Sequence, residues 1–387
     1  MSDVRNIPFG RPWITDDDRK AVLEVLEGHI LTHGPQCRQF EEEFAAFLGE
    51  GAHCVSVSSC SAALHLAYFH LGLGPGDEVI VPAQTHTATA HAVELVGARP
   101  VFAECDARTG NIDCSKLEAL ITPRTKALSL VHFLGIPCAM DDVMTIAQRH
   151  RLKVVEDCAL AIGTRYNGRH AGLFGDAGCF SFYPVKHMTT GEGGMFVSRH
   201  PDVAATVGKL RAFGVDRGHA ERVKPGMYDV LMLGLNYRMS EMQAALGRRQ
   251  LMRITDILDR RRANFGRLKS SLAGVQDVAI LDTRSPAAAS SHYCLTVVLR
   301  GEMAARRDDV VASLNRAGVG TSIYYPHPVP RLTYYRNKYG YAADAYAEAA
   351  RISDCSIALP VGPHLTPDDM DYIAAQLTRA LKELNVQ

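Results

Sequence analysis

The stretch FSFYPVKHMTTGEGGMF, residues 180–196, sets one lysine, Lys186, between an apolar run and a glycine cluster. Phe180, Phe182 and Tyr183 before it, and Gly194, Met195, Phe196 and Val197 after it, read as two buried strands. A lysine on the turn between buried strands sits near the interior, where desolvation lowers its pKa and frees the amine as a nucleophile. The commoner use of a lysine is a solvated loop position. A second reactive group closes the run VVEDCA (154–159), where Glu156 and Asp157 are adjacent. Strand alternation sends the two acids to opposite faces, so only one can serve a given pocket. Its uses there include holding a cationic ring nitrogen, binding a metal or capping a helix. Third, VSVSSCSAALHLA (55–67) reads as a strand, a polar turn and a helix start. Ser61 can cap that helix or, together with the free N–H groups and partial positive charge of the helix end, hold a phosphate.

Elements able to position these groups recur from about residue 53 to 200. EVIVP (78–82), RPVFAEC (99–105), KALSLVHF (126–133) and KVVEDC (153–158) read as short buried strands. The stretches SAALHLAYFHLGLG, HTATAHAVELVG and MDDVMTIAQRH between them read as helices. That alternation predicts βαβ units in a mainly parallel sheet covered on both faces, with ligands bound beyond the carboxyl ends of its strands. YNGR (166–169) is a hairpin turn, since Asn-Gly accepts the positive φ angles of a type I′ turn. A long Arg-rich helical pattern runs from Ser240 to about Leu272. After it come a strand, HYCLTVVL (292–299), a helix around 307–317 and a last helix from Pro367 onward. The expected division is a large α/β domain over residues 1–250, N-terminal helices included, and a smaller α+β domain over 251–387.

The 387 residues suit two domains, and 47% apolar with 22% charged residues is an ordinary globular balance. With 42 basic and 42 acidic residues, nothing in the charge points to nucleic acid or to a membrane surface. No apolar stretch reaches the roughly 20 residues of a membrane span, and MSDVRNIPFG lacks the features of a signal peptide. A cytoplasmic protein is expected. Its ten cysteines form no C-x-x-C pair, which argues against a disulfide framework. No H-E-x-x-H or Cys/His ligand spacing appears, so no metal is expected. GLGPGDEV (72–79) precedes a strand, whereas a dinucleotide loop must follow one, so it reads as a helix-ending turn.

A phosphate cup at a helix N-terminus, an acid for a pyridinium nitrogen and a lysine for an aldehyde are together what pyridoxal 5′-phosphate needs. SFYPVKHMTTGEGGMF, VIVPAQTHTATAHAVELVGARPVF, VVEDCALAIGTRYNGR and GLNYRMSEMQAALG closely resemble the DegT/DnrJ/EryC1/StrS family of sugar aminotransferases. The resemblance runs from ILTHGP (30–35) to ALPVGPHLTPDDMDYI (358–373). It implies the aspartate-aminotransferase-like fold (type I) and a homodimer whose active sites are shared across the interface. By motif it makes Lys186 the Schiff-base lysine and Asp157 the partner of the ring nitrogen. It gives the phosphate to Ser61, the backbone of Ala62 and the Ser181 hydroxyl, and places His86 where an aromatic ring stacks on the cofactor. Asn236 is implied to reach the phosphate of the neighbouring subunit's cofactor, with Arg238 beside it helping to hold substrate. His33, Tyr324, Tyr325 and His327 are candidates for the acceptor site.

Two positions depart from the family pattern. Leu160 stands where members commonly have Gln near the cofactor ring, and His86 where Phe, Tyr or Trp is usual. A branch of the family replaces the lysine with histidine and becomes a dehydratase; here His187 falls one position late and the lysine is present. The expectation is therefore a pyridoxal-phosphate-dependent aminotransferase acting on a keto sugar, nucleotide-linked, with glutamate as donor. The alternatives are an aminotransferase for a cyclitol-type ketone and a non-catalytic protein that binds the cofactor.

Overall fold

In the computed structural model, residues 5–49, 51–216, 227–283 and 285–385 are described. The apolar runs in the first half of the chain form strands β1 (His53–Val57), β2 (Glu78–Pro82), β3 (Arg99–Ala103), β4 (Thr125–Val131) and β5 (Lys153–Asp157). After a hairpin, β6 (Arg165–Tyr166) and β7 (Arg169–His170), come β8 (Ala177–Ser181) and β9 (Gly194–Ser198). Asn167 and Gly168 turn the hairpin with φ of 48° and 79°, as Asn-Gly predicts. The other seven strands form one sheet in the order β1-β9-β8-β5-β4-β2-β3. β9 runs antiparallel to β1 and β8, while every other pairing is parallel. β2, β8 and β9 are buried along their whole length because helices cover both faces, which is why they read as continuous apolar runs rather than alternating ones.

The covering helices include α3 (Cys60–His70), α4 (Thr87–Leu95), α5 (Met140–His150) and α6 (Pro201–Leu210), preceded by α1 (Asp16–Glu27) and α2 (Pro35–Leu48). The long pattern from Ser240 is two helices, α7 (Glu241–Met252) and α8 (Ile254–Ser271), broken at Arg253. The capping box of Ser240 and Gln243 starts α7, which packs on α1 and α2. α8 instead packs on the last helix, so the pattern must turn to serve two partners.

The second part of the chain adds β10 (Val278–Ile280), β11 (Ala288–Ala289), β12 (Leu295–Leu299) and β13 (Ser356–Leu359). Its helices are α9 (Arg307–Arg316), α10 (Thr333–Tyr339), α11 (Ala347–Cys355) and α12 (Pro367–Asn385). β10, β12 and β13 form an antiparallel sheet with its own core against α8, α9 and α12. Helix partners change at Arg253, and segments exchange between the two cores. Ile7 pairs with Val319 and joins the second core, while Val329, Tyr335, Ala349 and Ile352 are buried in the first. β11 pairs with β6 of the hairpin. The architecture is the type I arrangement that the resemblance implies. Among the described residues no helix is long and apolar enough to cross a membrane, and all ten cysteines are free.

Candidate active site

The carboxyl edge of the large sheet opens into a cavity of about 410 Å³. The turns that follow β1 and β2 contribute Ser59 and Thr85 to its wall, and the last residues of β4, β5 and β8 contribute Val131, Asp157 and Ser181. Lys186 enters from the loop that joins β8 to β9. Tyr324 and Tyr325 close the opposite side from the second half of the chain.

The side chain of Asp157 is 4% exposed and is held from two directions. The Thr89 hydroxyl donates to Oδ2 at 2.8 Å and the Ala159 amide donates to Oδ1 at 3.0 Å. Thr85 lies 2.8 Å from Thr89, oxygen to oxygen, so the chain Thr85–Thr89–Asp157 fixes the carboxylate. Glu156 points to the other face, as alternation demands. It is fully buried, 3.0 Å from His132 Nε2, and accepts the amides of Gly172, Phe174 and Gly175. Burial pushes its carboxyl up, but the His132 contact and these amides outweigh that and leave it below the usual range. Glu156 therefore braces the loop after the hairpin, and Asp157 is the acid of the cavity.

His132, Glu156 and Cys158 offer ligand atoms within 4.8 Å of one another. His132 Nδ1 accepts the Cys138 amide, so Nε2 carries the proton and donates to Glu156, leaving no imidazole lone pair for a metal.

Lys186 is half-buried. Burial pushes its pKa below the ordinary lysine value, against a smaller upward pull from Cys60 and Asp157. Its ammonium lies over the Tyr293 ring, 5.6 Å from the centroid, and among the described residues its Nζ has no hydrogen-bond partner. His187 turns the opposite way: buried, it sets Nε2 3.1 Å from the Ser291 carbonyl and ties the lysine loop to the second half of the chain.

The phosphate end differs from the sequence expectation in one respect. The N-cap of α3 is Ser59, not Ser61, and its hydroxyl takes the Ala62 amide at 3.1 Å. That corrects the N-cap from Ser61 to Ser59, and the Ala62 amide is engaged by the cap in this structure. The amides of Cys60 and Ser61 are the donors left without an intrahelical partner, and the exposed Ser61 hydroxyl stands at the cavity beside them. Gly194 makes room for this turn: a Cβ there would meet the Ser59 carbonyl carbon at 2.4 Å and the Cys60 nitrogen at 2.5 Å.

His86 caps α4 with its own ring, Nδ1 accepting the Ala88 amide at 3.1 Å. With Nδ1 so engaged, partial desolvation of the ring and nearby Lys186 push its pKa below the ordinary histidine value, against the opposing pull of Asp157. The ring meets Tyr325 edge to face at 5.5 Å. Leu160, 2% exposed, contributes apolar wall.

Among the sequence candidates, Lys186, Asp157, Ser61, Ser181, His86, Tyr324 and Tyr325 come together at the cavity. His33, Asn236, Arg238 and His327 do not line it within one chain. Asn236 is exposed on a segment whose backbone pairs with Ala212, and the Arg238 guanidinium lies over the Phe213 ring at 5.0 Å. Sequence reasoning missed Thr85 and Thr89. It also missed Gln84, which donates to the Tyr324 carbonyl at 2.9 Å and accepts from Ser353, joining the two halves beside the cavity.

An aldehyde-seeking amine, a fixed carboxylate and a helix end with open amides, packed around one cavity, fit pyridoxal phosphate. The profile of the DegT/DnrJ/EryC1/StrS aminotransferase family matches residues 12–378. The spore coat polysaccharide biosynthesis protein SpsC of Bacillus subtilis is 37% identical, over 96% of this chain and 97% of its own. GDP-perosamine synthase of Caulobacter vibrioides is 36% identical, over 98% of this chain and 100% of its own. Among solved structures, the putative sugar aminotransferase Spr1654 of Streptococcus pneumoniae, in its PMP form, superposes with a TM-score of 0.92 at 29% identity. That match covers 98% of this chain and 100% of Spr1654.

Proposed function

The chain belongs to the DegT/DnrJ/EryC1/StrS aminotransferase family, and we propose that it moves the amino group of L-glutamate onto the ketone of a nucleotide-linked keto-deoxysugar for amino-sugar biosynthesis. It is a sugar aminotransferase that works with pyridoxal phosphate. The observation that carries the aminotransferase reading is the convergence of Lys186, Asp157 and the α3 N-terminus on one cavity. The nucleotide link rests on the likeness to GDP-perosamine synthase.

Bound pyridoxal phosphate supplies an electron sink and a carrier for the amino group. The chain supplies the rest. Lys186 would hold the cofactor through its aldehyde and would move a proton to and from the substrate carbon. Burial lowers its pKa below the ordinary lysine value, which favours the neutral, nucleophilic amine. Asp157, its carboxylate held in place by Thr89 and the Ala159 amide, would hold the cofactor's ring nitrogen and favour its protonated form. The amides of Cys60 and Ser61 with the hydroxyls of Ser61 and Ser181 would bind the phosphate, and the His86 ring would pack against the cofactor. Tyr324 and Tyr325 border the acceptor.

The working unit of this proposal is a homodimer, in which Asn236 reaches the partner's phosphate and Arg238, His33 and His327 serve substrate. Phe213, Val230, Leu231 and Leu233 are exposed on the segments flanking Asn236, an apolar surface of the kind that marks an interface. The test is a screen of keto-sugar nucleotides with glutamate, read by product mass. Replacement of the ketone oxygen by an amine, with 2-oxoglutarate formed in equal amount, is expected. Amination of cyclitol ketones alone would overturn the sugar-nucleotide reading.

A further inference from the structure

Tyr293 is 3% exposed and stands just before β12, yet every group around it belongs to the reaction centre or to the seam beside it. Lys186 Nζ lies over its ring at 5.6 Å from the centroid. The guanidinium of Arg261, on α8, lies at 5.7 Å from the same centroid, and Arg261 Nη1 donates to the Tyr293 carbonyl at 2.7 Å. The Tyr293 hydroxyl is 2.7 Å from that of Tyr324 on the cavity wall. The segment that carries it is stitched to the large domain: the Ser291 amide donates to the Gly135 carbonyl and the Ser291 hydroxyl to that of Leu160, while His187 meets the Ser291 carbonyl. A ring placed by this many independent contacts is fixed relative to both halves of the chain.

The geometry points to Tyr293 as a positioning residue for Lys186. The inference rests on the proposed role of Lys186. An unbonded lysine has four rotatable bonds, and a ring face that attracts its ammonium and packs against its methylenes narrows where the nitrogen goes. Among the described residues no hydrogen bond competes for the nitrogen, so once the ammonium placed by the ring gives up its proton the lone pair is free to react. The step served is condensation with the aldehyde of pyridoxal phosphate. The amine adds to the aldehyde carbon, water leaves, and a C=N bond replaces C=O. Holding the amine near the path of attack raises the rate of that step without touching the phosphate contacts. Arg261 in turn fixes the main chain of Tyr293 and packs on its ring. Its buried charge has no carboxylate partner among the described residues, and the guanidinium meets the Tyr293 carbonyl and ring.

The experiment uses the full chain freed of cofactor. Condensation with added pyridoxal phosphate is followed by absorbance, and affinity for pyridoxamine phosphate, which has no aldehyde, is measured in parallel. Tyr293→Leu removes the face and is expected to slow condensation about tenfold, the rate equivalent of about 1.4 kcal/mol, with pyridoxamine phosphate affinity within about twofold of the original. Tyr293→Phe keeps the face and is expected to condense at the original rate, although its lost hydroxyl bond to Tyr324 raises KM for the acceptor. An unchanged rate in Tyr293→Leu overturns the inference, and so does an equal loss of pyridoxamine phosphate affinity or an equally slow Tyr293→Phe. Cofactor attached to a lysine other than Lys186 in the unsubstituted protein would instead overturn the reading of the site on which the inference rests.

Discussion

Replacing Asp157 with asparagine separates the chemistry of the site from its architecture. The carboxylate accepts from the Thr89 hydroxyl at 2.8 Å and from the Ala159 amide at 3.0 Å. In Asp157→Asn the amide oxygen keeps the Ala159 bond. The amide nitrogen then faces Thr89, whose hydroxyl can turn and accept, because its partner Thr85 can serve as donor or acceptor. Both bonds survive as neutral ones, and the difference between charge-assisted and neutral bonds puts the stability cost at about 1 kcal/mol. The functional cost is of another size. An asparagine cannot stabilise a protonated ring nitrogen, and losing the charged partner of a buried ion pair costs about 3–5 kcal/mol. At about 1.4 kcal/mol per decade, that is a fall of roughly 10²–10⁴ in kcat/KM. The assay pairs steady-state transamination with thermal melting on the same preparation. The reasoning fails if turnover stays within about threefold of the original. It fails equally if activity falls only in step with a collapsed melting transition, which would make Asp157 a structural cap.

Gly194→Ala should force the Ser59–Cys60 turn away from β9, because its Cβ would lie 2.4 Å from the Ser59 carbonyl carbon. A stability loss of about 1–3 kcal/mol is expected in denaturant titration, with weaker cofactor binding, and no change in either would refute the close approach. Mixing Lys186→Ala with Asn236→Ala chains should restore activity in mixed dimers, because one of the two sites then carries neither defect; absence of rescue in verified mixed dimers would defeat the shared site. His170 is buried, with Nε2 accepting the Gly163 amide and Nδ1 beside the Ala171 carbonyl, and burial lowers its pKa from 6.5 to about 4. The unfolded chain therefore takes up a proton that the folded one refuses, so stability falls as pH drops from 6.5 towards 4, with a slope of about 1.4 kcal/mol per pH unit for this group. His170→Gln keeps an acceptor for Gly163 and should flatten urea-denaturation stability over that window; an unchanged slope would refute the assignment.

The parts of the site that are local in sequence were legible before any coordinates. Lys186 stands out by the buried strands on either side and the pair Glu156–Asp157 by the strand they end, because burial and alternation act within a few residues; the choice of Asp157 over Glu156 came from the family motif. Asn-Gly at 167–168 fixed its turn for the same reason. The α3 cap was not legible, because VSVSSCSAAL offers several serines with the same chemistry. Only the backbone angles of Ser59, extended at φ −168° and ψ 165°, make it the cap. Thr89, Gln84 and Tyr293 were out of reach for another reason. Each acts through a partner far along the chain: Asp157 is 68 residues from Thr89, and Tyr324 is 240 from Gln84. The break at Arg253 escaped likewise, since α7 and α8 carry continuous helical propensity and only their different packing partners separate them.

The central claim is that Lys186 is the amine that meets the cofactor. Incubating the protein with pyridoxal phosphate, reducing with borohydride, digesting and mapping the modified peptide by mass tests it directly. The account predicts the cofactor's mass on the peptide that holds Lys186, and none retained in Lys186→Ala, which should also lose transamination while still binding pyridoxamine phosphate. Cofactor found on any other lysine of the unsubstituted protein, or undiminished labelling of Lys186→Ala, would contradict it.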